Sequence, residues 1–197
     1  MRVDRLGEAG ELTAGIAEVL LAAEQIQERV SELGAAISRD YAGREPLLVG
    51  VLKGVTLFMA DLLRAISIPV ELDFIAVASF SAESRRQGMV RLEKDLGAPI
   101  AGRHVLFVED VIDTGLTLNY LLRSLQAREP ASLEVCALLN KSGRRFLPVA
   151  VKYVGFELGA EFVVGYGLDY RERYRNLPFI GLLGEEALSP DKTRGPK

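Results

Sequence analysis

The sequence holds one cysteine, Cys136, and one histidine, His104, in 197 residues. A single Cys cannot close a disulfide within the chain. Its place inside the apolar string LEVCALL reads as a buried free thiol on a core strand, which suits a reducing cytoplasm. One His and one Cys cannot furnish a zinc site built from those ligands. A lone His without a G-x-S-x-G string also argues against a Ser-His hydrolase, and His104, just before an apolar run, is read as structural. Walker A is absent as well, because Gly50 to Gly54 lacks the GK[ST] ending. No apolar run approaches the ~18 residues of a membrane span. Basic charge is in short supply: 24 Lys and Arg against 27 Asp and Glu leave a net charge of −3. No global positive field therefore draws the chain to nucleic acid or an anionic membrane. The opening stretch MRVDRLGEAGELTAG carries acids and glycines where a signal peptide needs an apolar core. Secretion is not expected, and the sequon-like Asn140-Lys141-Ser142 is read as unrelated to glycosylation. No internal repeat is found.

What the chain does have is apolar residues, 49% of the total, enough for one domain with a sizeable core. Residues 1–17 show no sustained apolar period and read as a loose arm, and 188–197 as a disordered tail. Ile26, Val30, Leu33 and Ile37 mark one face of a helix running from Glu24 to about Tyr41. PLLVGVL (46–52) reads as a short strand, broken by Lys53-Gly54 and followed by an amphipathic helix from Val55 to Ile66. PVELDFIAVASF (69–80) reads as a strand, SAESRRQGM (81–89) as a loop and VRLEKDL (90–96) as its returning strand. SLEVCALL (132–139) and VKYVGFEL (151–158) are further strands, separated by the basic turn NKSGRR. Strand and helix alternate through the middle of the chain. The fold class expected is α/β, with a mainly parallel twisted sheet flanked by helices.

In such sheets ligands bind beyond the carboxyl ends of the strands, at the point where strand order reverses. Two chemically unusual segments sit at strand ends and should converge there. One is Leu52-Lys53-Gly54. The other lies in VLFVEDVIDTGLTLNYLL (105–122), where four apolar residues run into Glu109 and Asp110, and Asp113 precedes Thr114-Gly115-Leu116-Thr117 at a helix start. Crowded carboxylates cost free energy unless cations or hydroxyls answer them. Backbone N–H groups at a helix start, with two hydroxyls, would cradle a phosphate monoester. Adjacent carboxylates can accept hydrogen bonds from vicinal hydroxyls or hold a hydrated divalent cation. Together these describe a ribose 5-phosphate site. Singly, each residue also fits a structural role: Thr114 to Thr117 as a helix cap, Asp113 as a cap, Lys53 as a helix start, Lys141 as a solvated turn residue, Phe162 as core, and Asp169 as a surface partner of Arg173.

VLFVEDVIDTGLTL resembles the phosphoribosyl pyrophosphate (PRPP) signature of the purine phosphoribosyltransferases. LLVGVLKGVTLFMADLLRAI, RLEKDL, YVGFE and EFVVGYGLDYRERYRNLPFIG resemble their hypoxanthine–guanine branch, from about Glu24 to Leu183. The resemblance implies a single domain over 18–187, with a small hood built from the N-terminal helix region and residues 151–187. It implies Mg²⁺-dependent transfer of phosphoribosyl from PRPP to hypoxanthine or guanine, giving IMP or GMP and pyrophosphate. Glu109 and Asp110 would bind the ribose hydroxyls and Mg²⁺, and 113–117 the 5-phosphate. Lys53, with Gly54, and Arg175 would meet pyrophosphate, and Asp113 would be the base. Lys141 would donate to the purine 6-oxo group, Phe162 would stack on the ring, Val163 would read its edge, and Asp169 would help hold a second Mg²⁺. Ser79 and Phe80 match the loop that closes over the site. The chain departs from the family at Phe80, usually Tyr, and at Leu116, Lys in some members. A cytoplasmic homodimer or homotetramer is implied. Two rivals stand beside this reading: a PRPP-sensing nucleic-acid regulator, for which the segment before Glu24 is short, and a xanthine-specific relative.

Overall fold

The computed structural model describes residues 12–78, 91–144, 146–184 and 187. The chain divides into two units, Gln27–Ala160 and a smaller one formed by Met1–Ile26 with Glu161–Lys197. Residues 1–11 of the expected arm (1–17) and the tail (188–197) lie outside the described residues, whereas residues 16 and 17, also assigned to the arm, open the strand Ile16–Leu21.

The larger unit is built on a six-stranded sheet of β2 (Leu47–Leu52), β3 (Glu71–Val77), β4 (Leu92–Lys94), β5 (His104–Ile112), β6 (Ser132–Asn140) and β7 (Tyr153–Glu157), in the order β4-β3-β2-β5-β6-β7. All pairings are parallel except the return of β4 on β3. Strands covered on both faces need apolar residues at successive positions. Leu47-Leu48-Val49 and Val105 to Val108 supply them and are fully or almost fully buried. Two helices sit on opposite faces. A Cβ on Gly50 would meet Val55 and Met59 at 2.8 and 2.9 Å, which puts α2 (Thr56–Ala65) over the even-numbered face of β2. Leu118, Leu121 and Leu125 of α3 (Leu116–Gln126) pack with Val49, Val105 and Phe107 on the odd-numbered face. The longest helix, α1 (Ala23–Asp40), buries Ile26, Val30, Leu33 and Ile37, and its Arg29 donates to the carbonyls of Val154 and Gly155 in β7.

The chain runs from β2 outward to β3, then returns to place β5 on the other side of β2. Strand order therefore reverses between β2 and β5, where the two unusual segments end. Glu109 and Asp110, expected beyond the strand, lie within β5. The strand is prolonged because β6 is equally long and pairs in register as far as Ile112 with Asn140. β7, expected to contribute to the hood, is instead the edge strand of this sheet, with Cys136 to Asn140 of β6 aligned on Tyr153 to Glu157.

The smaller unit is built from both ends of the chain. β1 (Ile16–Leu21) and β8 (Val163–Val164) flank β9 (Ile180–Leu183), all antiparallel. Ile16, Val19, Val164, Leu177, Phe179 and Leu183 form its core. The Tyr174 hydroxyl donates to the Ala14 carbonyl at 3.0 Å, tying the turn before β9 to the start of β1.

Cys136 is wholly buried on β6, and burial pushes its thiol pKa well above the usual range. Native protein should therefore resist a maleimide, whereas unfolded protein should label fully. Rapid stoichiometric labelling of the native chain contradicts this placement.

Candidate active site

The convergence expected from sequence is met by contact. Gly54, two residues past the end of β2, lies so close to Asp110 that a Cβ there would fall 1.8 Å from a carboxylate oxygen. Only glycine fits. The Leu52-Lys53 peptide just before it is cis, and both the backbone and hydroxyl of Thr56 donate to the Lys53 carbonyl, turning the chain into α2.

Successive residues of a strand face opposite ways. Asp110 accordingly points to the α2 side, against Gly54, and accepts a bond from the Val111 N–H at 2.7 Å. Glu109 lines an open pocket on the α3 side, of about 160 Å³, together with Asp113, Thr114, Gly115 and Thr117. Burial, and after it the Asp110 charge, push the Glu109 pKa well above the ordinary carboxylate range. A carboxyl kept under that strain is poised for a cation or for hydroxyl donors.

The 113–117 turn leads directly into α3. Gly115 is left-handed (φ 77°) and caps α3, with no side-chain cap bond. Asp113 is therefore not the helix cap. It forms an ion pair with Arg144 at 3.2 Å, both side chains nearly half exposed. The first-turn N–H groups of α3 have no partner four residues back within the helix, and they open beside Thr114 and Thr117. From behind, the Phe146 N–H donates to the Thr114 carbonyl at 3.1 Å, and Leu147 and Val149 pack against Gly115. Leu116 is half exposed.

Lys141 follows β6 directly. It is buried, at 5% exposure, not the solvated turn residue its basic surroundings also allow. Its N–H donates to the Ile112 carbonyl and its own carbonyl accepts from Arg144, both at 3.0 Å. Lys53, Gly54, Glu109, Asp110, 113–117 and Lys141 thus all sit at the carboxyl ends of β2, β5 and β6 in one unit.

The remaining candidates lie in the smaller unit. Phe162 is half exposed and meets Tyr170 edge-on at 5.8 Å, so it is not core. Val163 is buried in β8, paired with Leu182 of β9. Asp169 pairs with Arg175 at 2.8 Å and accepts from the Glu172 N–H, while the Arg173 guanidinium lies over the Tyr174 ring. The surface partner of Asp169 is therefore Arg175, six residues on, because the turn reverses through the left-handed residues Arg171, Glu172 and Tyr174. Arg175 also donates to the Gly167 carbonyl at 2.8 Å. Ser79 and Phe80 lie outside the described residues. Among the described residues no three His, Cys, Asp or Glu side chains gather as a ready-made metal cage. The carboxylate oxygens of Glu109 and Asp110 suit a hard divalent ion that keeps water or substrate ligands. The pairing of Arg144 with Asp113 was not read from sequence; NKSGRR gave the charge but not its partner.

A phosphoribosyl transferase domain model matches residues 17–171. Hypoxanthine-guanine phosphoribosyltransferase of Mycobacterium tuberculosis is 50% identical over 184 residues, covering 90% of this chain and 91% of that protein. The enzyme of the same name from Streptococcus pneumoniae is 46% identical over 174 residues, covering 88% and 97%. A crystal structure of Staphylococcus aureus hypoxanthine phosphoribosyltransferase superposes with a TM-score of 0.85 at 45% identity, covering 89% and 96%. The chain belongs to the phosphoribosyltransferase family. Within that family its relatives named above are the enzymes of hypoxanthine and guanine.

The raised pKa of Glu109 has a consequence for stability. Between the unfolded and folded pKa values the fold binds more protons than the unfolded chain, so stability falls as pH rises through that window. Glu109→Gln removes the charging cost. It should raise Tm at neutral pH, by about 2–4 °C per kcal/mol in a chain of this size. The gain should shrink as pH falls toward 4.5, the ordinary value for Glu. Melting curves across that range test this; a lower Tm for the variant at neutral pH contradicts it.

Proposed function

We propose that this chain is a purine-salvage enzyme that transfers the 5-phosphoribosyl group from PRPP to hypoxanthine or guanine, yielding IMP or GMP and pyrophosphate. The observation that carries the reading is the contact of Gly54 with Asp110, which brings the Lys-Gly turn against the end of β5, the strand that leads into the 113–117 loop, at the strand-order switch. The names of the relatives supply the base. The cytoplasm and a homodimer or homotetramer complete the proposal.

On this reading the first turn of α3 with Thr114 and Thr117 holds the 5-phosphate. Leu116 supplies backbone there and no charge. Glu109 and Asp110 take the ribose hydroxyls, and Lys53 and Arg175 the pyrophosphate. Mg²⁺, held by Glu109 and Asp110 and at a second position by Asp169, would neutralise the leaving group as a Lewis acid. Phe162 stacks on the purine, and the Val163 backbone reads its edge. The smaller unit serves as the hood, and the segment of Ser79 and Phe80 as the closing loop. Lys141 offers donors only, which suits a 6-oxo acceptor and opposes the 6-amino group of adenine.

Purified protein with saturating PRPP and Mg²⁺ should convert hypoxanthine or guanine to the nucleotide, with adenine a very poor substrate. Absence of turnover with both 6-oxopurines sinks the proposal, and efficient use of adenine sinks the role of Lys141.

On the same reading Asp113 takes the proton that the purine sheds as its other imidazole nitrogen attacks C1. Its ion pair with Arg144 is nearly half exposed and so worth only about 0–1 kcal/mol, a small cost to exchange for substrate. Asn keeps the shape and loses the charge. Asp113→Asn should lower kcat by about 10²-fold or somewhat less, with PRPP affinity nearly kept. Since Gly115 is the cap, the variant should lose none of the ~1 kcal/mol that a side-chain cap is worth. Single-turnover rates decide: a wild-type rate in the variant means that Asp113 is not the base.

A further inference from the structure

Lys141 is flanked by two polar side chains that share one acid. Asn140 Nδ2 donates to Glu157 Oε1 at 2.6 Å, and Ser142 Oγ donates to Glu157 Oε2 at 3.0 Å. The carboxylate thus spans the Lys141 position like a staple. Its own place is fixed by register: Glu157 ends β7 directly opposite Asn140 at the end of β6, and the Leu158 N–H donates to the Asn140 carbonyl at 2.9 Å. Asn140 is buried at 5% exposure, so its amide needs a partner in place. β6 ends at Asn140 and a 3-10 turn, Ser142–Arg144, begins just after Lys141, so Lys141 sits at the junction of strand and turn. Holding Asn140 and Ser142 to Glu157 therefore pins the chain on both sides of Lys141. Its own backbone is bonded to Ile112 and Arg144 as well.

We infer that Glu157 is a positioning residue for purine recognition, acting through the Asn140–Ser142 clamp to set the direction of Lys141. This rests on the reading of Lys141 as the donor to the 6-oxo group. Glu157 itself touches no substrate. Charge-assisted bonds are the strong ones, and two of them on one carboxylate fix the turn far better than either alone. A long, entropy-rich Lys side chain needs such support if its three donors are to meet one oxygen.

The test compares steady-state constants for hypoxanthine and PRPP in five proteins: wild type, Glu157→Ala, Glu157→Gln, Ser142→Ala and Lys141→Ala. Glu157→Ala should raise KM for hypoxanthine about ten-fold, the size of effect usual when a supporting partner of a binding group is lost. Changes in kcat and in KM for PRPP should stay within about two-fold, since uniform binding of the base is what is lost. Gln can accept from Asn140 and donate to Ser142, so Glu157→Gln should restore most of the wild-type KM. Ser142→Ala cuts one arm at an exposed site, leaves Asn140 satisfied, and should give an intermediate KM even where Glu157→Ala folds poorly. Combining Glu157→Ala with Lys141→Ala should add nothing to Lys141→Ala alone. If Lys141→Ala raises KM for hypoxanthine but Glu157→Ala and Ser142→Ala do not, the clamp is overturned and the role of Lys141 stands. The clamp is also overturned if Glu157→Ala raises the two KM values in parallel, or adds its full effect in the Lys141→Ala background. An unchanged KM in Lys141→Ala overturns the recognition role and the clamp with it.

Discussion

The parallel pairing of β2 with β5 is the constraint on which the site depends. Leu47 to Gly50 align residue for residue with Val105 to Val108, and both strands are sealed between α2 and α3. A slip of one residue would turn every buried side chain to the opposite face. Register is therefore set by the cost of exposing several large apolar groups, each worth about 1.5–3 kcal/mol of burial. With register fixed, the strand ends are fixed too. Gly54 then meets Asp110, and Lys53 is delivered beside the acids. The core selects the geometry, and the polar groups inherit it.

That arrangement carries an electrostatic cost at one place. Glu109 lies on the α3 side with its carboxyl buried next to Asp110. An apolar or amide residue would suit the strand better. Two acids elsewhere in the same unit are answered. Asp73 pairs with Lys94 and Asp95 with Arg128, and both carboxyls are held below the usual range, although burial opposes this at Asp73. The contrast separates structural acids, which bring their cations with them, from an acid that waits for its partner. Asp113 is intermediate: Arg144 pairs with it at 3.2 Å, with both side chains nearly half exposed.

Legibility followed sequence distance. The long apolar strands and the three helices could be read from periodicity, because neighbours in sequence determine them, and the switch-point rule then placed Lys53-Gly54 beside Asp110. β1 escaped notice because its partner β9 is more than 150 residues away, and Ile16–Leu21 mixes apolar and acidic residues without a clean alternation. The end of β5 was misjudged for a similar reason. Glu109 and Asp110 look like a strand terminus until the length of β6 is known. Arg175 pairs with Asp169 across a turn that runs through the left-handed residues Arg171, Glu172 and Tyr174, which no helical spacing rule covers.

The Glu157 clamp lies at the far end of the same scale. YVGFE reads from sequence as one more strand, and its terminal Glu as one more solvated charge. Nothing local links it to Asn140 and Ser142. Only the parallel alignment of β6 with β7 sets Glu157 opposite Asn140, and that alignment follows from burying Cys136 to Leu139 against Tyr153 and its neighbours. The candidate residues at the strand ends of the larger unit have a composition unusual enough to be noticed. The partners of those residues are chosen by neighbouring strands, and so are seen only when the sheet is assembled.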